Sequence, residues 1–321
     1  MEDTKQEAPQ AHHEPHVEKK SFKERFYNFF FEKYYKKLLI IPILMLVAAF
    51  IIIGVQVANT GDFINRDISL KGGLTLTVPT TAAVNVPAFE KELQGMFSGK
   101  DIAVRTLKTG ASFSGLIVDA EIDVNDKVGI DTLISEAGKA LGHTLTQEEY
   151  SIEFIGGSLG ASFFRETIIA LVAAFISMGI VVFLIFRTTV PSLAVIVAAF
   201  SDIVVTLAVV DMIGLKISTA GIAAFLMLIG YSVDTDILLT SRVLKRKEHT
   251  VFENTVSAFR TGIMMTLTAL VAITIAWIFT DSKVISEIMT ILFIGLVADI
   301  INTWIQNVAI IRIYMDKKGK R

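Results

Sequence analysis

The chain has 321 residues, 52% of them apolar and 19% charged, with a mean hydropathy of +0.58. That balance excludes most soluble folds and places the chain in a membrane. It has no cysteine, which excludes a disulfide scaffold, an iron–sulfur cluster and thiol catalysis, and its net charge of −2 gives no pointer to a charged partner such as nucleic acid.

Residues 1–20 are polar, carry Pro9 and Pro15, and read as a disordered tail. His12, His13 and His16 lie there without an acidic or Cys framework, so no metal site is expected. Residues 21–37 interleave Phe22, Phe26, Phe29, Phe30, Tyr34 and Tyr35 with Lys and Arg, as an amphipathic segment in the membrane interface would. Six stretches are apolar enough to cross a hydrocarbon core of about 30 Å, which needs about 20 residues per helix. They are 38–58, 167–186, 191–213, 217–240, 262–279 and 285–311. The first is too long for the h-region of a cleavable signal and is expected to remain as an anchor.

Lys and Arg set the orientation. Eight precede the first span, five fall in the loop 242–260 and five in the tail 312–321, all on one side. Lys216 and Lys283 alone mark the short loops opposite, so a multi-pass protein of the cytoplasmic membrane with both termini cytoplasmic is expected.

Residues 59–165 have the composition of a folded extracytoplasmic domain. Strands are predicted at 74–78, 102–107, 116–122 and 150–155, and helices at 86–97 and 128–141. The order β-α-β-β-α-β is that of the ferredoxin-like fold, so the predicted class is a membrane all-α bundle of six helices with an α+β domain between the first two. Order argues for architecture and not activity. Gly95 with Gly99-Lys100 misses the phosphate-loop spacing, and Lys108-Thr109-Gly110 lacks a Ser-x-x-Lys partner, so neither is a site. No enzyme, ATP site or other cofactor is expected, and any work must draw on an ion gradient or a partner.

A charge in mid-span costs roughly 2.5 to 3.5 kcal/mol on insertion scales, so such a residue is a functional candidate by default. Asp202 lies mid-way along the third span, Asp299 mid-way along the sixth, and Asp234 and Asp236 in the inner half of the fourth, with Arg260 at the inner start of the fifth. Asp211 reads as solvated at the outer interface. Asp234 and Asp236 stand about 200° apart around a helix, so neither suits lipid and the fourth span should be enclosed. By depth Arg260 can reach them, giving either an ion pair that changes with protonation or a static pair fixing helix register. Asn302, Gln306 and Asn307 extend Asp299 into a polar stripe, which interhelical hydrogen bonding explains equally well.

Several segments resemble the SecF branch of the SecD/SecF protein-export membrane components, relatives of the resistance-nodulation-division transporters. Asp67-Ile-Ser-Leu-Lys-Gly72-Gly73 resembles the family's Asp-x-x-x-Gly-Gly, and Gly156-Gly157-Ser158-Leu159-Gly160 its Gly-Pro-x-Leu-Gly, with Gly157 for Pro. Ser201-Asp202 is similar to its His-Asp, with Ser for His. Gly230-Tyr231-Ser232-Val233-Asp234-Thr235-Asp236 followed by Arg242 resembles the fourth-span signature, and Phe259-Arg260-Thr261 the x-Arg-Thr that opens the fifth span. The usual SecF acid falls at Thr235, while Asp234 takes the SecD position, so the resemblance favours Asp234 over Asp236, with Arg260 as its partner.

The resemblance implies a complex with a SecD-like six-helix subunit at the Sec translocon, acting on exported polypeptides with protons as the coupling ion. Asp234, Asp236, Arg260 and Asp202 would carry the protons, supported by Asp299, Thr235 and Asn302. Two other readings are a scaffold that stabilises the SecD-like subunit and a small-molecule or lipid exporter of the same superfamily.

Overall fold

A computed structural model describes residues 27–81, 84–109, 112–245, 249–280 and 282–319. The polar tail 1–20, its histidines and the start of the aromatic segment lie outside the described residues. Among the described residues six helices are long and apolar enough to cross a membrane: Tyr35–Thr60, Gly157–Phe186, Thr189–Met212, Thr219–Lys245, Val251–Phe279 and Val284–Lys317. These are called the first to sixth spans.

Small side chains decide which spans lie inside. The third packs through Ala194, Ala198, Ala199, Ser201 and Ala208, and the fourth through Gly221, Ala224 and Ser232, all buried. On the sixth, Leu228 of the fourth lies over Gly295, where a Cβ would collide with its methyl groups. Close backbone approach of this kind replaces the hydrophobic drive that lipid does not supply. The sixth span packs on the third, fourth and fifth, and the first and second flank the third and fourth. The third and fourth are therefore mostly buried, while the first, second and fifth are mainly exposed.

Between the first two spans stands a small α/β unit of β1 (Gly73–Pro79), α1 (Val86–Met96), β2 (Ile102–Thr109), β3 (Ser112–Ala120), α2 (Lys127–Leu141) and β4 (Ser151–Ile155). The strands form one antiparallel sheet in the order β2-β3-β1-β4, with Leu76 opposite Val118 on one side and Ile152 on the other. Alternation puts Leu74, Leu76, Val78, Val104, Leu116 and Val118 on one face, where Phe89 and Leu93 of α1 and Leu133 of α2 cover them. Each helix starts where its sequence caps it: Asn85 Oδ1 accepts from Ala88 N–H (3.3 Å) and Asp126 Oδ1 from Gly129 N–H (3.0 Å).

The chain leaves the first span, makes a helical turn at Ile68–Lys71 capped by Asp67, and passes through Gly72, with φ +89°, into β1. Here it crosses the chain returning to the second span. A Cβ on Gly160 would lie 2.7 Å from Gly72 N, so both strands of this neck need glycine.

Several boundaries differ from expectation. β3 begins at Ser112 rather than near 116, because its antiparallel pairing with β2 continues out to Thr109 opposite Ser112. The second span starts at Gly157, since its helix continues past the apolar run to the glycine neck. The basic loop 242–260 is mostly helix: the fourth span runs to Lys245, and a capping box of Thr250 and Glu253 starts the fifth at Val251. The described part of the aromatic segment packs on the spans. Tyr27 and Phe31 pack on Phe259, which in turn meets Trp304 (5.1 Å), and Tyr35 Oη donates to Asp316 (2.5 Å).

Candidate functional site

The sixth span changes its winding in the middle. Asn302–Asn307 form a π-helical turn, and Asn302, Thr303, Gln306 and Asn307 are all buried. A wider turn brings side chains four and five residues apart onto one face, and such turns recur at functional sites. It faces the third and fourth spans.

Asp202 of the third span has no exposed surface and accepts from Ser232 Oγ (2.5 Å) of the fourth and Asn302 Nδ2 (2.7 Å) of the sixth. Asp236 of the fourth, equally buried, accepts from Thr303 Oγ1 (2.9 Å) and Asn307 Nδ2 (2.6 Å). Thr303 also meets Asp299 Oδ1 (3.0 Å), one turn earlier in the sixth span. Gln306 Nε2 donates to Ser201 Oγ (3.3 Å) beside Asp202. Three spans thus hold three carboxylates in one network. Among the described residues no Lys, Arg or His forms an ion pair with any of them. Asp236 Oδ2, Asp299 Oδ2, Asn302 Oδ1 and Asn307 Oδ1 are buried oxygens with no hydrogen-bond partner among the described residues.

The structure separates the two fourth-span acids as their spacing requires, with the acid that the resemblance favours on the outer side. Asp236 points into the bundle and Asp234 is exposed, sharing its face with Gly230 and Tyr231. Neighbouring helices settle the choice: Ser232, Thr235 and Asp236 meet the third, fifth and sixth spans, leaving Asp234 on the uncovered side. Arg260 is not its partner here. That guanidinium is exposed, lies over the Tyr27 ring (5.6 Å), and makes no ion pair among the described residues. Thr235 donates to Tyr231 O and abuts Gly262, and Arg242 Nη1 ties the fourth span to Ser257 O (2.6 Å) of the fifth. Asp211 is not solvated: it is 7% exposed and accepts from Asn65 N–H (3.3 Å).

Sequence reasoning missed Thr303, although its place four residues after Asp299 puts it on the same helical face. It also missed Glu287, buried near the domain-side end of the sixth span.

The family model described as protein export membrane protein SecD/SecF, C-terminal, matches residues 136–317. The protein-export membrane protein SecF of Pyrococcus furiosus is 40% identical over 88% of this chain and 91% of its own, and that of Methanocaldococcus jannaschii 35% identical over 86% and 94%. The fold is similar to the crystal structure of SecDF, a translocon-associated membrane protein from Thermus, with a TM-score of 0.66 at 18% identity over 88% of this chain. This chain spans 38% of that longer protein. By the family match and the two relatives, the chain belongs to the SecF family of protein-export membrane proteins.

Proposed function

We propose that this chain is the SecF-class subunit of a complex with a SecD-like partner, assisting Sec-dependent movement of exported polypeptides across the cytoplasmic membrane. The β-α-β-β-α-β unit is read as a ferredoxin-like extracytoplasmic domain, an assignment supported by its sheet order. Both termini are assigned to the cytoplasm on the Lys/Arg asymmetry. The length shared with the SecF relatives, and the 38% of SecDF that the fold covers, support a two-subunit arrangement in which this chain supplies one six-helix half.

The work is drawn from the proton gradient through Asp202, Asp236 and Asp299. The observation that carries this reading is a proton count. Thr303 has one hydroxyl proton but faces a carboxyl oxygen of both Asp236 and Asp299, so the two carboxyl groups share a single donor hydrogen unless one of them holds a proton itself. Buried carboxylates without a counter-cation exchange protons more cheaply than they stay charged. A scaffold role for the same surfaces remains the second reading, favoured by the fully hydrogen-bonded Asp202.

Export of a reporter precursor is the test, in cells carrying Asp202→Asn, Asp236→Asn, Asp299→Asn, Asp234→Asn or Arg260→Met, with capture of the SecD-like subunit as the assembly control. Loss of export at Asp236→Asn with assembly intact is expected. Normal export in all three buried variants would reduce the cluster to helix packing and leave the scaffold.

A further inference from the structure

Glu287 is a buried carboxylate that the cluster does not use. It is 3% exposed, and it accepts from Ser218 through both oxygens: Oε1 from the backbone N–H (2.7 Å) and Oε2 from Oγ (2.9 Å). Ser218 Oγ accepts in turn from Ala220 N–H and Gly221 N–H, so Ser218 caps the fourth span. A Cβ on Gly221 would overlap Oε1, and glycine is what lets the carboxylate lie flat on that first turn.

The contacts continue toward the α/β domain. Ile217, next to Ser218, is clamped by the segment that follows the first span: its N–H donates to Asn65 O (2.6 Å), and its carbonyl accepts from Asp67 N–H (2.9 Å). Asp67 then caps the turn leading to β1. On the other side stands Arg105 of β2, ion-paired with Asp119 of β3. Burial pulls its guanidinium below the usual range, and the charges of Asp67 and Glu287 oppose that pull. A serine alone caps a helix. A carboxylate with almost no exposed surface carries a desolvation cost that capping alone does not explain, and the opposite charge of Arg105 acts against that cost.

We propose that Glu287 is the positioning residue that joins the sixth span to the outside domain, through Ser218, the Asn65–Ile217–Asp67 clamp and Arg105. Asp299 lies about 18 Å further along the same helix, so a shift of that helix at the cluster reaches the domain through this joint. The inference deepens the proposed function and rests on it for its purpose, but its geometry is tested separately.

The chain has no cysteine, so an Asp101→Cys, Lys216→Cys pair gives a clean thiol crosslink between the residue preceding β2 and the fourth-span loop, whose parent side chains touch at 2.5 Å. In the assembled complex in membranes, Glu287→Gln is expected to lower the yield of a short bifunctional thiol reagent roughly threefold or more, the scale of a lost buried hydrogen bond in a membrane protein. Arg105→Gln should do the same from the domain side, and it decides alone if Glu287→Gln fails to assemble. Parental yield in the assembled variants would overturn the joint and leave Glu287 a helix cap. Export in Asp236→Asn cells is read independently, so failure of the proton reading is distinguishable from failure of the joint.

Discussion

At the scale of single residues, Asp202 depends on its two donors. Ser232 gives it a 2.5 Å hydrogen bond, and Asn302 closes the other side. Hydrogen bonds between membrane helices average about 0.6 kcal/mol and reach about 1.7, so Ser232→Ala should lower the stability of the purified chain by roughly that amount. Unfolding in mixed micelles measures it. A substitution without effect would mean that Asp202 finds another donor. Asp101 offers a pH prediction outside the membrane. Burial alone would raise it, but Lys216 and Lys71 outweigh burial and hold it below the usual carboxylate range. A depressed carboxylate contributes its stability above the unfolded value of about 3.9 and loses it as pH falls through the lower folded value. Extra hydrogen-exchange protection of residues 214–218 relative to Asp101→Asn should therefore be flat from neutral pH down to about pH 5 and vanish only below about pH 4.

At the scale of elements, glycines in two places make opposite predictions. Gly160 meets the backbone of Gly72 where the chain enters and leaves the small domain, so Gly160→Ala forces the neck apart and should cost about 1 to 3 kcal/mol, as overpacking does. Gly230 sits in a helix with nothing within 4 Å of the place a Cβ would take, so Gly230→Ala should keep or raise the stability of the isolated chain by up to about 1 kcal/mol. Thermal unfolding of the two variants side by side checks both. β1, α1 and α2 were legible from alternation and from a 3.6-residue period, because each has one wet face and one dry face. The helical extensions at Gly157, Lys245 and Val251 were not. Hydropathy marks where lipid begins and ends, while these helices continue on contacts with the neck and with each other.

At the scale of the whole molecule, the exposed face of the fourth span carries Gly230, Tyr231 and Asp234. A carboxylate on an uncovered face is costly in lipid, so a second subunit is expected to cover it. A photo-crosslinker replacing Tyr231 should capture the SecD-like partner; capture of lipid alone would remove this face from the interface. The sequence by itself determined the six apolar helices, the order of strands and helices in the domain, and the presence of acids at membrane depth, since these follow from local period and from the cost of exposed backbone in hydrocarbon. It also required that Asp234 and Asp236 point opposite ways. Only the tertiary structure decided which of them faces inward, that Thr303 and Asn307 meet Asp236, and that Arg260 lies on Tyr27. A helix sets the angle between its own side chains at about 100° per residue, but its rotation about its axis is set by the small residues and the π-helical turn of the helices packed against it.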